Sequence, residues 1–408
     1  MVTRRQALKF VSATGASALL SGCAQGNERH ATQGGVADTR RLRVLATSDM
    51  HGMFVPWLDN EYDEPHTGVR NLAQKCPEFD LIVASHQHKL VEGEEINGVL
   101  VVENQYHAQT MAVVDLTLER DGGGRKVTAR SSTPVKATDY EPDLETVELM
   151  ASYDERAKRY AREVIGTLEG GPLAPKGEFE AIPQAVLTDT ALIDLINEVQ
   201  LYHSGAKVSS TALSSVKANI EPGPICRYDV SRIYKHQNTL YTLEMTGAQL
   251  KRYLEWSADF YKTFRKGDLS PAFDSEVPLY NYDMFQGVSY TIEVSKEPGA
   301  RIRDLSWPDG APVRDDEAFS FVTSNYRTTS NIVVPGTIYE QGDMPKLQES
   351  DVHGNLGGIR AMIADFIQNV RGGKISPECD GNWSVVGFDW DEGCTSAPLS
   401  WSRMARLS

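Results

Sequence analysis

The chain has 408 residues, with 56 Asp and Glu against 41 Lys and Arg and a formal net charge of −15. That balance excludes a nucleic-acid polymer or an anionic membrane surface as partner, because either needs a basic face. A small anionic substrate stays admissible where metal ions supply the local positive charge.

The first residues, Thr3-Arg4-Arg5-Gln6-Ala7-Leu8-Lys9-Phe10, lead into a short segment of small apolar residues ending in Leu20-Ser21-Gly22-Cys23. A charged start and an apolar core too short for a bilayer read as an export signal over residues 1–23, and the paired arginines look like a twin-arginine signal. The residues before Ala24 look like a lipoprotein cleavage box, so Cys23 becomes the acylated first residue of a mature chain tethered in the cell envelope or periplasm. An ordinary cleaved signal with an incidental Cys is the blander alternative. Residues 24–41 are polar and aperiodic, a flexible tether.

From residue 42 a mostly apolar run, Leu42 to Leu45, ends in Thr47-Ser-Asp-Met-His-Gly52. A strand stopping there presents Asp49 and His51 on one face, and the pair suits a divalent ion such as Mn²⁺, Zn²⁺ or Fe²⁺. A solvated strand-end turn is the commoner origin of a lone Asp-x-His. A second apolar run, Asp80 to Ala84, ends in Ser85-His86-Gln87-His88. Between them lie an acidic, turn-rich stretch holding Asp59, Asn60, Asp63 and His66 and a short helical pattern with Val69, Leu72 and Ala73. Val99 to Glu103, Met111 to Leu118 and Lys126 to Val135 read as strands, with Asn97-Gly98 and Asp121-Gly-Gly-Gly124 as turns.

Residues 139–166 read as a polar linker helix, with Glu155 four before Arg159. Beyond it, Leu192, Leu195, Ile196 and Val199 form one helical stripe, and Thr246 with Gln249 a capping box for a helix carrying Leu250 and Leu254. Ile359, Ile363 and Phe366 stripe a last helix, and residues 393–408 read as a loose tail. The fold class is α/β (α+β), in two domains over 42–138 and 167–392. Of the remaining cysteines, Cys76, Cys226, Cys379 and Cys394 carry no metal spacing. A Cys379–Cys394 disulfide is permitted by an oxidising compartment and not demanded.

The stretches "DMHG" and "SHQH" resemble the first and last motifs of the calcineurin-like metallophosphoesterases. The resemblance implies that Asp49, His51 and His88 hold one divalent metal and His86 binds its neighbour, with Ser85 standing where the family has Gly. Three intervening family motifs, including the bridging carboxylate, have no counterpart in residues 52–85, which have room for about one βαβ unit. The sandwich is therefore read as internally shortened. Two metals in the family become one or none here, although the acidic loop contains residues of suitable types.

Residues 185–330 resemble the C-terminal domain of the 5′-nucleotidase family, within it the 2′,3′-cyclic-nucleotide 2′-phosphodiesterase/3′-nucleotidases, through "TALIDLINEVQLYHSGAKVS", "IYKHQNTLYTLEMTGAQLKRYLEWSA", "YNYDMFQGVSYTI" and "SNYR". The resemblance implies that Tyr234 and Tyr280 sandwich a nucleobase, with Asn238 and Asp283 as polar contacts. Tyr282 and Phe285 are read as strand core. "ALSSVKANI" replaces the phosphate-binding arginine loop of the 5′-nucleotidases. The resulting reading is an exported nucleotide phosphoesterase with an incomplete catalytic domain, taking a small-molecule nucleotide and touching the membrane only through its lipid. A non-catalytic nucleotide-binding lipoprotein is the alternative, and an internal deletion in the gene model a third.

Overall fold

The computed structural model describes residues 40–46, 69–84, 89–105, 108–177, 182–268 and 271–388. It divides into two compact units, Met1–Val147 and Glu148–Ser408.

In the first unit, β1 (Arg40–Ala46), β5 (Thr110–Asp121) and β6 (Gly124–Lys136) form one antiparallel sheet. A second sheet joins β2 (Leu81–Ala84), β4 (Val99–Glu103) and β3 (Val91–Ile96), with β2 parallel to β4. The expected Asn97-Gly98 turn closes the β3–β4 hairpin, both residues at positive φ (48° and 79°), the conformation that favours Asn-Gly there. Strand β4 is buried throughout because its alternate residues meet different layers. Leu100 and Val102 pack with Ala112, Val114 and Leu116 of β5, whereas Val99 and Val101 pack with Ala73 of helix α1 (Val69–Lys75). Strand β2 is an edge strand among the described residues, and Val83 on it is 44% exposed.

The linker helix, α2 (Leu144–Ala161), buries no residue along its length. Its side-chain ties are Lys158 to Asp154 at 2.6 Å and to Glu155 at 3.7 Å. It stops before Gly166, since β7 (Val164–Leu168) already pairs antiparallel with β9 (Gly223–Cys226). The last three residues of the expected linker are thus strand.

The second unit is organised on a five-stranded mixed sheet, β11 (Asp283–Gln286), β8 (Val208–Ala212), β14 (Ala318–Ser324), β10 (Leu240–Thr246) and β15 (Lys346–Val352), in that spatial order. Helix α3 (Ala191–Ser204) packs on β8 and β11 through the expected stripe, with Leu192, Leu195, Ile196 and Val199 all buried. Gly205 ends it in a left-handed conformation, φ 67°. Helix α4 (Arg227–Ile233) follows β9. The predicted capping box opens α5 (Gly247–Ala258), Thr246 accepting from Gln249 N–H at 3.3 Å while Gln249 Oε1 accepts from Thr246 N–H at 2.9 Å. A three-stranded sheet of β13 (Ile302–Ser306), β12 (Ser289–Glu293) and β17 (Trp383–Val386) and the β16 (Lys374–Ile375)–β7–β9 sheet complete the unit, with α6 (Ile359–Asp365) carrying Ile359 and Ile363 of the last stripe and Phe366 opening the wider turn that follows.

Two buried carboxylates fasten the start of α3 to the segment before β17. Asp380 N–H donates to Asp194 Oδ2 at 2.9 Å, and the Cys379 thiol lies 3.5 Å from Asp189 Oδ2. Burial, then the like charge of Asp380, pushes Asp189 up to about 6. Burial, then Asp189, pushes Asp194 up to about 7. Thr190 N–H on Asp189 and Asp380 N–H on Asp194 pull the other way. The folded state therefore keeps protons that the unfolded chain releases near its ordinary value of 3.8, so stability falls as pH rises from about 4 through about 7. Asp194→Asn keeps an oxygen for Asp380 N–H and removes the charge. Thermal melts between pH 4.5 and 8 should show the variant gaining several degrees over wild type at pH 8 and little at pH 4.5. A parallel pH profile for both proteins would refute the assignment.

Candidate functional site

The turn Leu279–Asn281 runs into β11 and carries Tyr280 outward, 40% exposed. Its neighbour Tyr282 points into the core and is fully buried, stacked on Phe260 at 4.6 Å. Phe285, on β11, is 1% exposed, so both residues are core as expected, with Tyr282 just ahead of the strand.

Asp283, at the start of β11, is 4% exposed and paired with Arg327 Nε at 2.6 Å. The Tyr253 hydroxyl donates to the same carboxylate oxygen. Burial raises the Asp283 carboxyl, opposed first by Arg327 and then by Tyr253. Burial also works against the Arg327 charge, and Asp283 together with Tyr253 and Tyr326 outweighs it, holding the guanidinium above its ordinary range. Arg327 spends its other donors on the loop above. Nη1 donates to Asn281 Oδ1 at 2.9 Å and Asn331 Oδ1 at 2.6 Å, and Nη2 donates to the Tyr280 carbonyl. The guanidinium carbon sits 5.1 Å from the Trp256 ring centroid. Tyr326, next to Arg327 in the helical turn Asn325–Arg327, is 43% exposed and meets Tyr280 edge-on, 6.2 Å between centroids and 79° between planes.

Tyr234 lies inward of this pair, 6% exposed, its hydroxyl accepting from Asn238 Nδ2 at 3.3 Å. Burial raises that hydroxyl well above its usual range, while Asn238 lowers it and Asp283 raises it further. Asn238 is fixed by its carbonyl, which accepts from Ile359 N–H at 2.8 Å across a close approach to Gly358. A Cβ at Gly358 would come within 2.4 Å of that carbonyl oxygen. Arg327 joins Tyr280 to Asp283, Asn238 is bonded to Tyr234, and Tyr234 is near enough to feel the charges of Asp283 and Arg327, with Tyr280 far more accessible than Tyr234. The sequence reading assigned no role to Arg327, Tyr253, Trp256 or Tyr326. "SNYR" was visible as family text, but the partner of its arginine is 44 residues away in sequence.

The expected metal ligands Asp49, His51, His86 and His88 lie outside the described residues, as do Cys23, Asp59, Asn60, Asp63 and His66. The described strands lead toward both motifs, β1 ending at Ala46 and β2 at Ala84. Among the described residues, Asp189, Asp194 and Cys379 are the one group of metal-capable side chains whose ligand atoms all lie within 4.8 Å of each other. Nothing in their spacing announces it.

Residues 164–335 match the family "5′-nucleotidase, C-terminal domain". A 2′,3′-cyclic-nucleotide 2′-phosphodiesterase/3′-nucleotidase of Haemophilus influenzae is 25% identical over 391 residues, covering 79% of this chain and 56% of the relative. The Bacillus subtilis trifunctional nucleotide phosphoesterase protein YfkN is 25% identical over 367 residues, covering 78% of this chain and 24% of that protein. Among solved structures, a Staphylococcus aureus protein assigned as a 5′-nucleotidase superposes with a TM-score of 0.59 at 20% identity, over 78% of this chain and 59% of its own, a likeness of fold. The chain therefore spans between a quarter and somewhat over half the length of these proteins. Residues 164–335 thus carry a 5′-nucleotidase C-terminal domain, and the chain has 2′,3′-cyclic-nucleotide 2′-phosphodiesterase/3′-nucleotidases among its relatives.

Proposed function

We propose that the protein is an exported nucleotide-binding lipoprotein of phosphoesterase descent, whose C-terminal domain holds a small-molecule nucleotide and whose catalytic domain is too short for two-metal turnover. The observation that carries the binding half is Tyr280, held outward at 40% exposure by a buried ion pair inside the matched domain. A base stacked on an aromatic face gains ~1–3 kcal/mol and needs no particular base identity.

The catalytic half rests on sequence. Asp49, His51 and His88 would hold one divalent ion, Mn, Zn or Fe, and His86 would contribute to a second. One carboxylate and three imidazoles suit such borderline ions. When bound, the ions polarise phosphoryl oxygens and lower the pKa of a bound water. His86 alone cannot retain a second ion tightly, and residues 52–85 offer no counterpart of the bridging carboxylate. Among the described residues β2 is an apolar edge strand with Val83 44% exposed, which fits a sandwich that has lost neighbouring strands. Full hydrolysis, with the acidic loop supplying ligands, is the second reading, favoured by Asp59 and Asp63 standing between the motifs.

Export rests on Arg4, Arg5 and Cys23, and no helix among the described residues is long and apolar enough to cross a membrane. Mass spectrometry of the mature protein should find an acylated Cys23 at its N-terminus, with Cys23→Ala released from membranes; a start elsewhere would sink the anchor. Metal analysis of the folded full chain should give at most one Mn²⁺ or Zn²⁺, with bis-p-nitrophenyl phosphate turnover no higher than in Asp49→Ala. Two ions with turnover lost in that variant would establish the hydrolase instead. Titration of adenosine 3′-phosphate should show Tyr280→Ala binding roughly tenfold to a hundredfold more weakly, at 1.4 kcal/mol per decade, and unchanged affinity would remove Tyr280 from the site.

A further inference from the structure

The sequence motifs pair Tyr280 with Tyr234, yet their accessibility in the fold is unequal. Tyr234 is 6% exposed with its hydroxyl bound to Asn238, so a base could stack on its face only by displacing what covers it. The other exposed aromatic beside Tyr280 is Tyr326, 43% exposed. Their planes stand 79° apart with centroids separated by 6.2 Å, which makes a floor and a wall, not two parallel faces.

The two rings also share one support. Tyr326 directly precedes Arg327, and Arg327 holds the Tyr280 carbonyl and the Asn281 carboxamide while paired with Asp283 beneath. Arg327 is 3% exposed and its guanidinium lies over Trp256, so the support is interior and rigid, whereas the rings it carries are accessible. Exposing two large aromatic rings on a common buried anchor is the arrangement expected of a stacking subsite, where the rings pre-pay little rotamer entropy on binding.

We infer that Tyr326 is the second aromatic wall of the base subsite, contacting the base that stacks on Tyr280, with Arg327 as the positioning residue for both rings. This rests on the nucleotide-binding reading above and adds a residue to it.

The test titrates adenosine 3′-phosphate into the full chain and into Tyr326→Ala, Tyr326→Leu, Tyr326→Phe and Tyr280→Ala, with a thermal melt of each. Tyr326→Ala should bind about tenfold more weakly, Tyr326→Leu, which keeps bulk and loses the π face, should match it, and Tyr326→Phe should bind like wild type. Rescue by Phe but not by Leu is a pattern that loss of fold does not produce. Wild-type affinity in Tyr326→Ala alongside weakened binding in Tyr280→Ala would overturn the Tyr326 assignment and leave the nucleotide reading standing. Failure of the wild-type chain to bind the nucleotide would overturn the reading and this inference with it.

Discussion

The exposed Tyr280–Tyr326 face of the C-terminal domain depends on a single buried ion pair. Arg327 and Asp283 are 3% and 4% exposed, and neither charge would survive there alone, because desolvation costs several kcal/mol per ion. The pair is supported by further hydrogen bonds on both partners. Asp283 also accepts from Tyr253, and Arg327 donates to Asn281, Asn331 and the Tyr280 carbonyl while lying over Trp256. Removing one partner of such a pair costs ~3–5 kcal/mol, whereas an apolar replacement of both is often neutral, so stability alone does not require it. What an apolar pair could not do is hold a backbone carbonyl and two carboxamides at once. The planar fork of an arginine does that, and it converts core charge into the placement of a surface loop.

That network continues inward without an apolar break. Tyr253 reaches Ser210, whose hydroxyl donates to Thr323 Oγ1 at 3.1 Å, and Gln200 bridges Ser209 and the Ser210 carbonyl from α3 at 3.1 Å each. Helix, sheet and loop are therefore bonded through side chains as well as packed. Buried polar chains of this kind specify one arrangement, since each member left without its partner forfeits a desolvated hydrogen bond.

Local signals in the sequence were the legible part. The α3 stripe, the Thr246–Gln249 box and the Asn97-Gly98 turn all follow from the period of 3.6 or from the backbone preferences of single residues. The end of the linker helix was not legible, because Val164 is drawn into strand by Cys226, 62 residues away. The partners of Asp283 were hidden for the same reason. An aspartate between tyrosines reads equally as a ligand contact or as half of an ion pair, and only the fold brings Arg327 to it. The Asp189, Asp194 and Cys379 cluster joins residues up to 190 positions apart and left no pattern to read.

The two units differ in how much of their chemistry is self-contained. In the second, the buried network beneath the exposed rings, from Tyr253 and Trp256 through Asp283 to Arg327 and Asn331, lies within residues 164–335, the span of the matched domain. In the first, the expected ligands come from two stretches that follow the ends of strands in different sheets, β1 and β2, so a metal centre would depend on the whole sandwich being intact. Shortening such a domain therefore removes the property that needs many distant parts before the one that needs few. The exposed aromatic surface of the second unit, by contrast, takes its placement from that unit's own buried arginine.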